Sequence, residues 1–370
     1  RKPSKKEAQE AAARCQGSTA TVQAVERREK TEKPPALFDL TTLQREANRT
    51  LGYTAQQTLD YLQALYDKKF STYPRTDSRY LTDDMEAGVP ALVEAAASIC
   101  GVAAPETVLA GQVCDSARVS DHYAVVPTAS AGRADLEALP IGEREILRLV
   151  SLGLLRAVCP PCRSAETCIT ALCAGDPYTA KWKEVLSPGW KVHAQTADAE
   201  VGTGPDRLTE GQTLPVAAAK IKTGKTTPPK HHTEDSLLSA METAGKEDMP
   251  EDAERQGIGT PATRATILEK LVSAGFVERK KAKKTVSLLP TPLGTALITV
   301  LPEQLQSPTL TAEWEHRLKE VERGTLAPGD FMDEIAAMLR ELVETCRPRN
   351  CGPLSPVRRN RHRGQEGLFL

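Results

Sequence analysis

The sequence predicts a multidomain protein of the α+β class. Three observations carry this. The chain has 370 residues, more than a single hydrophobic core usually organises. Residues 39–70 and 143–158 repeat apolar positions at helical spacing, whereas 167–221 breaks into short runs bounded by turns at Gly175-Asp-Pro177 and Ser187-Pro-Gly189. Apolar residues are 40% and charged residues 26%, a globular balance. No apolar run reaches the roughly 18 residues of a membrane-spanning helix, and no signal peptide is visible.

The chain opens on Arg1 rather than Met, in a polar, helix-prone stretch, and is expected to be a fragment of a longer protein. Residues 18–28 alternate in part, with Ala20, Val22 and Ala24 on one face, as a strand does; Lys33-Pro-Pro35 ends it. Residues 39–70 read as two helices. Leu43 and Ala47 share a face of the first. Thr54 caps the second, and Leu59, Leu62, Leu65 and Tyr66 follow at helical spacing before Phe70. From 81 to 159 the chain reads as mostly helical. Trp182 stands in one of the strands that follow, and 222–230 is a Lys/Thr/Pro linker.

The last domain spans 235–344. Thr260 is placed as N-cap, Pro261 as first helical residue and Gly275 as the stop, with Ile267, Leu268, Leu271 and Val272 as the apolar face. A strand pair then carries Arg279-Lys-Lys-Ala-Lys-Lys284, five cations in six positions. Helix, glycine, then basic hairpin is the order of a winged helix, and also of a generic packing unit. The end, 346–370, has no period and reads as a basic tail through Arg358, Arg359, Arg361 and Arg363.

Several sharper readings fail. Nine cysteines, an odd number, do not form a secreted disulfide framework. Cys159-Pro-Pro-Cys162 with Cys168 and Cys173 lacks the second short clip of a zinc site, and 165–174 reads as a strand. Gly224-Lys225-Thr226 mimics the end of a phosphate-binding loop, but Ala219 occupies the position of its first glycine. Adjacent His231 and His232 diverge and lack a partner at helical spacing. The net charge of −1 is a weak guide, because nucleic-acid binding depends on local basic surface.

The most informative stretch is Ser71-Thr-Tyr-Pro-Arg-Thr-Asp-Ser-Arg79. Pro74 fixes a stiff turn between a tyrosine hydroxyl and an arginine. A tyrosine attacks a phosphodiester only where a cation neutralises the non-bridging oxygens and protons are handled. Arg75 suits the first task, because its guanidinium matches phosphate geometry and keeps its charge.

Tyr73-Pro-Arg-Thr-Asp-Ser-Arg-Tyr-Leu81 resembles the active-site signature of type IA DNA topoisomerases. Ser120-Asp-His-Tyr-Ala-Val-Val-Pro-Thr128 resembles the family's Ser-Asp-His-x-Ala-Ile-x-Pro-Thr segment. Gly257-Ile-Gly-Thr-Pro-Ala-Thr-Arg264 resembles its Gly-Ile-Gly-Thr-Pro-Ser/Ala-Thr-Arg loop. The three occur in family order, and the resemblance runs over about 18–342, nearest the bacterial topoisomerase III branch.

The resemblance implies a toroidal core: an arched β gate domain, a helical tyrosine domain and a winged-helix-like domain. The expected limits are 1–36 for the lead-in and first part of the gate, 37–158 for the tyrosine domain and 159–228 for the rest of the gate and linker. The winged-helix-like domain takes 229–345, and 346–370 the tail. It implies ATP-independent transesterification on single-stranded DNA, with negatively supercoiled or catenated DNA as substrate, by a cytoplasmic, nucleoid-associated monomer. Tyr73, Arg75 and His122 take catalytic roles. Thr76, Asp77, Arg79, Ser120, Asp121, Thr128, Gly257, Gly259, Thr260, Thr263 and Arg264 shape the site or grip the strand. The family's amino-terminal Toprim domain, with its acidic Mg²⁺ site and lysine, is expected to precede Arg1, and no Asp-x-Asp occurs in the chain. Two alternatives stand beside this. Tyrosine recombinases place their tyrosine near the carboxyl end, and relaxases need clustered histidines, so neither fits well. A catalytically incomplete single-strand-binding fragment shares every binding feature.

Overall fold

The computed structural model describes residues 5–194, 208–245, 257–283, 285–307 and 309–345. The chain forms two compact units, Arg1–Thr243 with Ile258–Thr295, and Ala244–Gly257 with Ala296–Leu370. The basic tail and Lys284 lie outside the described residues.

The first unit begins with helix α1 (Lys5–Cys15) and strand β1 (Thr19–Glu32). The chain then forms α2 (Leu40–Thr50), α3 (Ala55–Asp67), α4 (Val89–Cys100) and α5 (Ile141–Ala157). It returns to strands with β2 (Cys162–Cys173), β3 (Asp176–Ser187) and the short β4 (Thr213–Pro215). All four strands make one antiparallel sheet in the order β3-β2-β1-β4. The β1–β2 ladder runs from Ala20 opposite Cys173 to Glu32 opposite Cys162, with a register shift between Val22 and Ala24. β1 therefore extends four residues past the alternating stretch, through the charged run Glu29 to Glu32, because pairing with β2 satisfies its backbone. At about 3.3 Å per residue, Cys162 and Cys173 stand some 36 Å apart on β2 and cannot share a metal.

The four helices between β1 and β2 pack around two apolar clusters. Leu40, Leu43, Leu59, Leu62, Leu65, Ile146, Leu147 and Val150 belong to one. Leu37, Leu81, Val89, Val93, Leu154, Leu155 and Val158 belong to the other. α5 is buried along most of its length and contributes to both, which makes it the axis of the domain. The segment 101–140 departs from the helical expectation. It holds only four three-residue 3₁₀ turns among irregular chain, after Gly101 ends α4 in a left-handed conformation. Pro105, Pro127 and Pro140 each remove a helical donor there.

The rest of this unit is α6 (Glu234–Thr243), α7 (Pro261–Ser273) and the hairpin of β5 (Val277–Ala282) with β6 (Thr285–Pro290). Thr260 caps α7, Pro261 starts it, and Gly275 follows at φ 75°. Leu238, Met241, Ala265 and Leu268 pack on Ala55 at the start of α3. The buried Glu234 carboxylate fastens these elements: it accepts from the Ala55 amide (2.7 Å) and from Arg279 Nε (2.8 Å). Arg279 also donates to Glu269 (3.1 Å), so this member of the basic hairpin is spent on carboxylates.

Helix α8 (Pro292–Val300) leads into the second unit, which contains α9 (Glu303–Gln306), α10 (Thr309–Glu322) and α11 (Pro328–Thr345). Arg317 of α10 donates to Glu334 of α11 (2.8 Å). Among the described residues, no helix is long and apolar enough to cross a membrane.

Candidate active site

The site is built from the end of α3, the loop 71–81 and the strand-like segment 122–128. Helix α3 starts at a capping box in which Thr54 Oγ1 accepts from Gln57 N (3.1 Å) and Gln57 Oε1 from Thr54 N (3.0 Å). It ends in a Schellman turn. Lys69 N donates to Tyr66 O and Phe70 N to Leu65 O, both at 2.8 Å. Lys69 sits at φ 62°, a left-handed conformation that a side chain makes costly. Its carbonyl accepts from Thr128 Oγ1 (2.7 Å) and Ser130 Oγ (3.0 Å), which hold the turn in place.

Residues 71–81 are fastened on both sides of the tyrosine. Thr72 N donates to Val126 O (3.1 Å), while Thr72 Oγ1 donates to Ala124 O (2.9 Å) and accepts from Val126 N (3.0 Å). The buried Thr76 donates from Oγ1 to His122 O (2.8 Å) and accepts from Ser78 N (3.1 Å), and its carbonyl accepts from Leu40 N (3.1 Å). Ser78 Oγ donates to Arg118 O (2.9 Å). Ala124 and Val126 point into one apolar cluster and Val125 into the other, so the segment facing the tyrosine loop is itself anchored by the core.

Tyr73 lies between two rings. Its centroid is 4.2 Å from His122, with planes 37° apart, and 5.5 Å from Tyr66, edge to face at 83°. A cleft of about 520 Å³ opens here, lined by Tyr73, His122, Thr128, Tyr66, Asp67 and Lys69 among others. The structure thus brings Tyr73, His122 and Thr128 together. Thr76 braces them from beneath, and Asp77 Oδ1 accepts from the Ser120 hydroxyl (3.2 Å) at the exposed margin, where Asp121 is also exposed.

Arg75 is exposed and donates from Nη1 to Gln63 Oε1 (2.8 Å), and Gln63 Nε2 donates to Asp67 (2.9 Å). The guanidinium is tied back to α3 through a side chain of that helix. Arg79 points elsewhere: its Nε donates to Leu37 O (3.1 Å) and it lines a separate cavity. Gln63, Asp67 and Lys69 escaped the sequence reading, and Tyr66 enters it only as part of the helix's apolar face. The four-residue spacing of Gln63 and Asp67 on α3, with Tyr66 the penultimate residue of that helix and Lys69 just past its end, is the signal that could have found them.

The glycine loop stands at the start of α7. Gly259 has φ 67°, and a Cβ there would meet Ile267 and Thr263 at 3.0 and 3.1 Å. Thr260 N donates to Thr263 Oγ1 (2.8 Å). Arg264 is buried; it donates to Ile258 O (3.1 Å) and to Thr41 Oγ1 of α2 (3.0 Å), and burial pushes its guanidinium below the ordinary value. Gly257 belongs to the second unit and, like Gly259, has positive φ.

A tyrosine on a doubly fastened loop thus stands beside a histidine at an open cleft, and comparison with known proteins gives the chain its family. A sequence-family profile described as DNA topoisomerase matches residues 1–333. DNA topoisomerase 3 of Bacillus subtilis is 34% identical over 354 residues, covering 89% of this chain and 47% of that relative. DNA topoisomerase 3 of Bacillus cereus (strain ATCC 10987) is 33% identical over 350 residues, covering 88% and 46%. The chain belongs to the type IA DNA topoisomerase family. It spans about half the length of the curated relatives it matches. In fold it is similar to full-length topoisomerase I from Thermotoga maritima, with a TM-score of 0.68 at 24% identity over 89% of this chain and 53% of that one.

Proposed function

We propose that this chain carries the nucleophile and part of the strand-binding surface of a type IA topoisomerase. The carrying observation is Tyr73, set between His122 and Tyr66 at a cleft by a loop pinned at Thr72 and Thr76. Tyr73 Oη attacks the phosphorus of a single-stranded DNA backbone. A tyrosyl O–P bond forms, the P–O3′ bond breaks, the phenol proton leaves to solvent or a neighbouring group, and the 3′-oxygen takes up a proton. The 5′-phosphotyrosyl bond conserves the phosphodiester, so religation is the same exchange in reverse and needs no ATP. His122 and, after swinging from Gln63, Arg75 supply donors to the non-bridging oxygens. Asp77, Asp121 and Ser120 shape the margin of this cleft. Helix α7 with the β5–β6 hairpin acts as a winged-helix-like element, with Gly259 letting the backbone approach the strand and Thr260 and Thr263 fixing the turn through their mutual bonds. Arg264 then serves by holding that loop on α2.

By the resemblance, the Mg²⁺ expected of the family belongs to the acidic site of its Toprim domain. Among the described residues, no group of three or more His, Cys, Asp or Glu side chains converges to hold a metal. The second reading is a single-strand-binding piece that presents Tyr73 without completing the reaction, and it predicts that the chain by itself does not relax supercoiled DNA.

The test uses single-stranded DNA labelled at its 3′ end, with Mg²⁺, this chain and a Tyr73→Phe control, resolved on a denaturing protein gel. A labelled protein band that disappears in the control establishes the tyrosyl bond. Binding without a band selects the second reading, and absence of single-strand binding refutes both.

A further inference from the structure

A second cavity, of about 250 Å³, shares none of its lining residues with the Tyr73 cleft. Four arginines, Arg45, Arg49, Arg79 and Arg156, stand in its wall with one carboxylate, Glu46. Within the wall itself, cations outnumber carboxylates. Arg45 is met by Asp235 (3.0 Å) and Glu242 (3.8 Å) from α6. Arg49 and Arg156 share Glu46, which lies 3.7 Å from the latter and pairs more closely with the former. Arg79 spends its Nε on the Leu37 carbonyl, and burial raises the pKa of the nearby Asp39 carboxyl while the Arg79 charge opposes the rise. Arg156 is the most costly of the four. Its side chain is 9% exposed and its Nε is committed to His193 O (2.9 Å). Burial, reinforced by the adjacent Arg49 charge and opposed by Cys100, holds its guanidinium below the ordinary value.

Four guanidinium groups and one carboxylate give the cavity wall a net positive charge, which an anion would offset. The planar forks suit a phosphate oxygen pair better than a point anion. The cavity also has a covalent link to the chemistry: Arg79 closes the same nine-residue loop that presents Tyr73. We propose that the Arg49–Arg79–Arg156 cavity takes a backbone phosphate of single-stranded DNA at a point separate from the phosphate presented to Tyr73. The proposal rests on the strand-cleavage reading above. A strand seated here and one seated at Tyr73 would act on opposite ends of one loop.

Two variants move the cavity charge in opposite directions. Arg49 is 59% exposed and pairs with Glu46 on its own helix, so Arg49→Gln leaves the fold intact. Glu46→Gln removes the one lining carboxylate. The first probe is inorganic phosphate at fixed ionic strength, read as the rise in Tm, because a ligand of the folded state stabilises it. The second is a fluorescent oligothymidylate, read as the slope of log affinity against log salt. Phosphate should raise the Tm of the wild type, raise that of Glu46→Gln more and that of Arg49→Gln less. The slope for Arg49→Gln should be shallower by about 0.7, one phosphate contact on a single strand. Identical phosphate responses in all three proteins overturn the anion site. A phosphate response with an unchanged oligonucleotide slope overturns its use by DNA. A wild type that binds phosphate but no oligonucleotide removes the strand-cleavage reading, and with it the DNA occupant, while the anion site itself remains.

Discussion

Tyr73 and His122 stack with centroids 4.2 Å apart, and the carbonyl of that same histidine accepts from Thr76, three residues beyond the tyrosine. The loop and the histidine are thus positioned by one another. His122 is an exposed residue whose fold contact runs through its carbonyl, so its ring chemistry and the fold are separable. His122→Ala should lower covalent adduct formation about 10²-fold, the cost of one lost donor to a developing charge. Stability should stay within about 0.5 kcal/mol of the wild type. Single-turnover quench assays and thermal melts check both, and an unchanged rate would remove His122 from the mechanism.

Lys69 offers the opposite combination. It occupies a left-handed position at the end of α3 and lines the tyrosine cleft. Lys69→Gly relieves the backbone and should stabilise the protein by about 1 kcal/mol. It also removes a cation from the strand path, so single-strand affinity should fall and its salt slope flatten by about 0.7. Urea denaturation and anisotropy titrations read the two effects. Gain of stability with undiminished binding would place Lys69 off the path.

Asp39 makes stability depend on pH. It caps α2, its Oδ1 accepting from Thr42 N (2.7 Å), yet burial raises its pKa despite that bond and the nearby Arg79. A carboxyl with a raised folded pKa contributes stability fully present below its unfolded value of about 3.9 and lost as pH rises through the folded value. Asp39→Asn keeps the cap and cannot ionise. The variant should gain on the wild type as pH climbs through that window and keep the advantage at pH 7. Denaturation midpoints from pH 3 to 8 test this; parallel curves would show that burial imposes no cost on this carboxylate.

Much of the helical framework is legible in the sequence, because its signals are local. Thr54, Leu59, Leu62 and Leu65 announce α3, and Thr260, Pro261 and Gly275 bracket α7. The outer half of β1 carries no alternation, since both its faces are exposed and its order comes from the ladder with β2. The irregular chain of 101–140 is set by anchoring, such as the Val125 amide on Phe38 O (2.8 Å), that no spacing encodes. In the site, the motif names Tyr73 and His122 but not where an arginine points. Arg75 turns to Gln63, Arg264 inward to Thr41, and Arg279 to Glu234 and Glu269. Counting cations along a chain does not show which are already matched by distant carboxylates and hydroxyls.

The pairing of Glu32 with Cys162 has a kinetic corollary. That ladder closes a loop of about 130 residues, and an unstructured loop of that length carries a large closure entropy before any contact repays it. The cost shrinks once the intervening helices have collapsed on their own clusters and brought residues 33 and 161 close together. Assembly should therefore run from the middle outward, with the helical insert forming first and the sheet zipping afterwards. Core damage at Leu62 or Leu147 should delay strand pairing far away, and a nascent chain that has released β1 but not β2 exposes an unpaired edge throughout that interval.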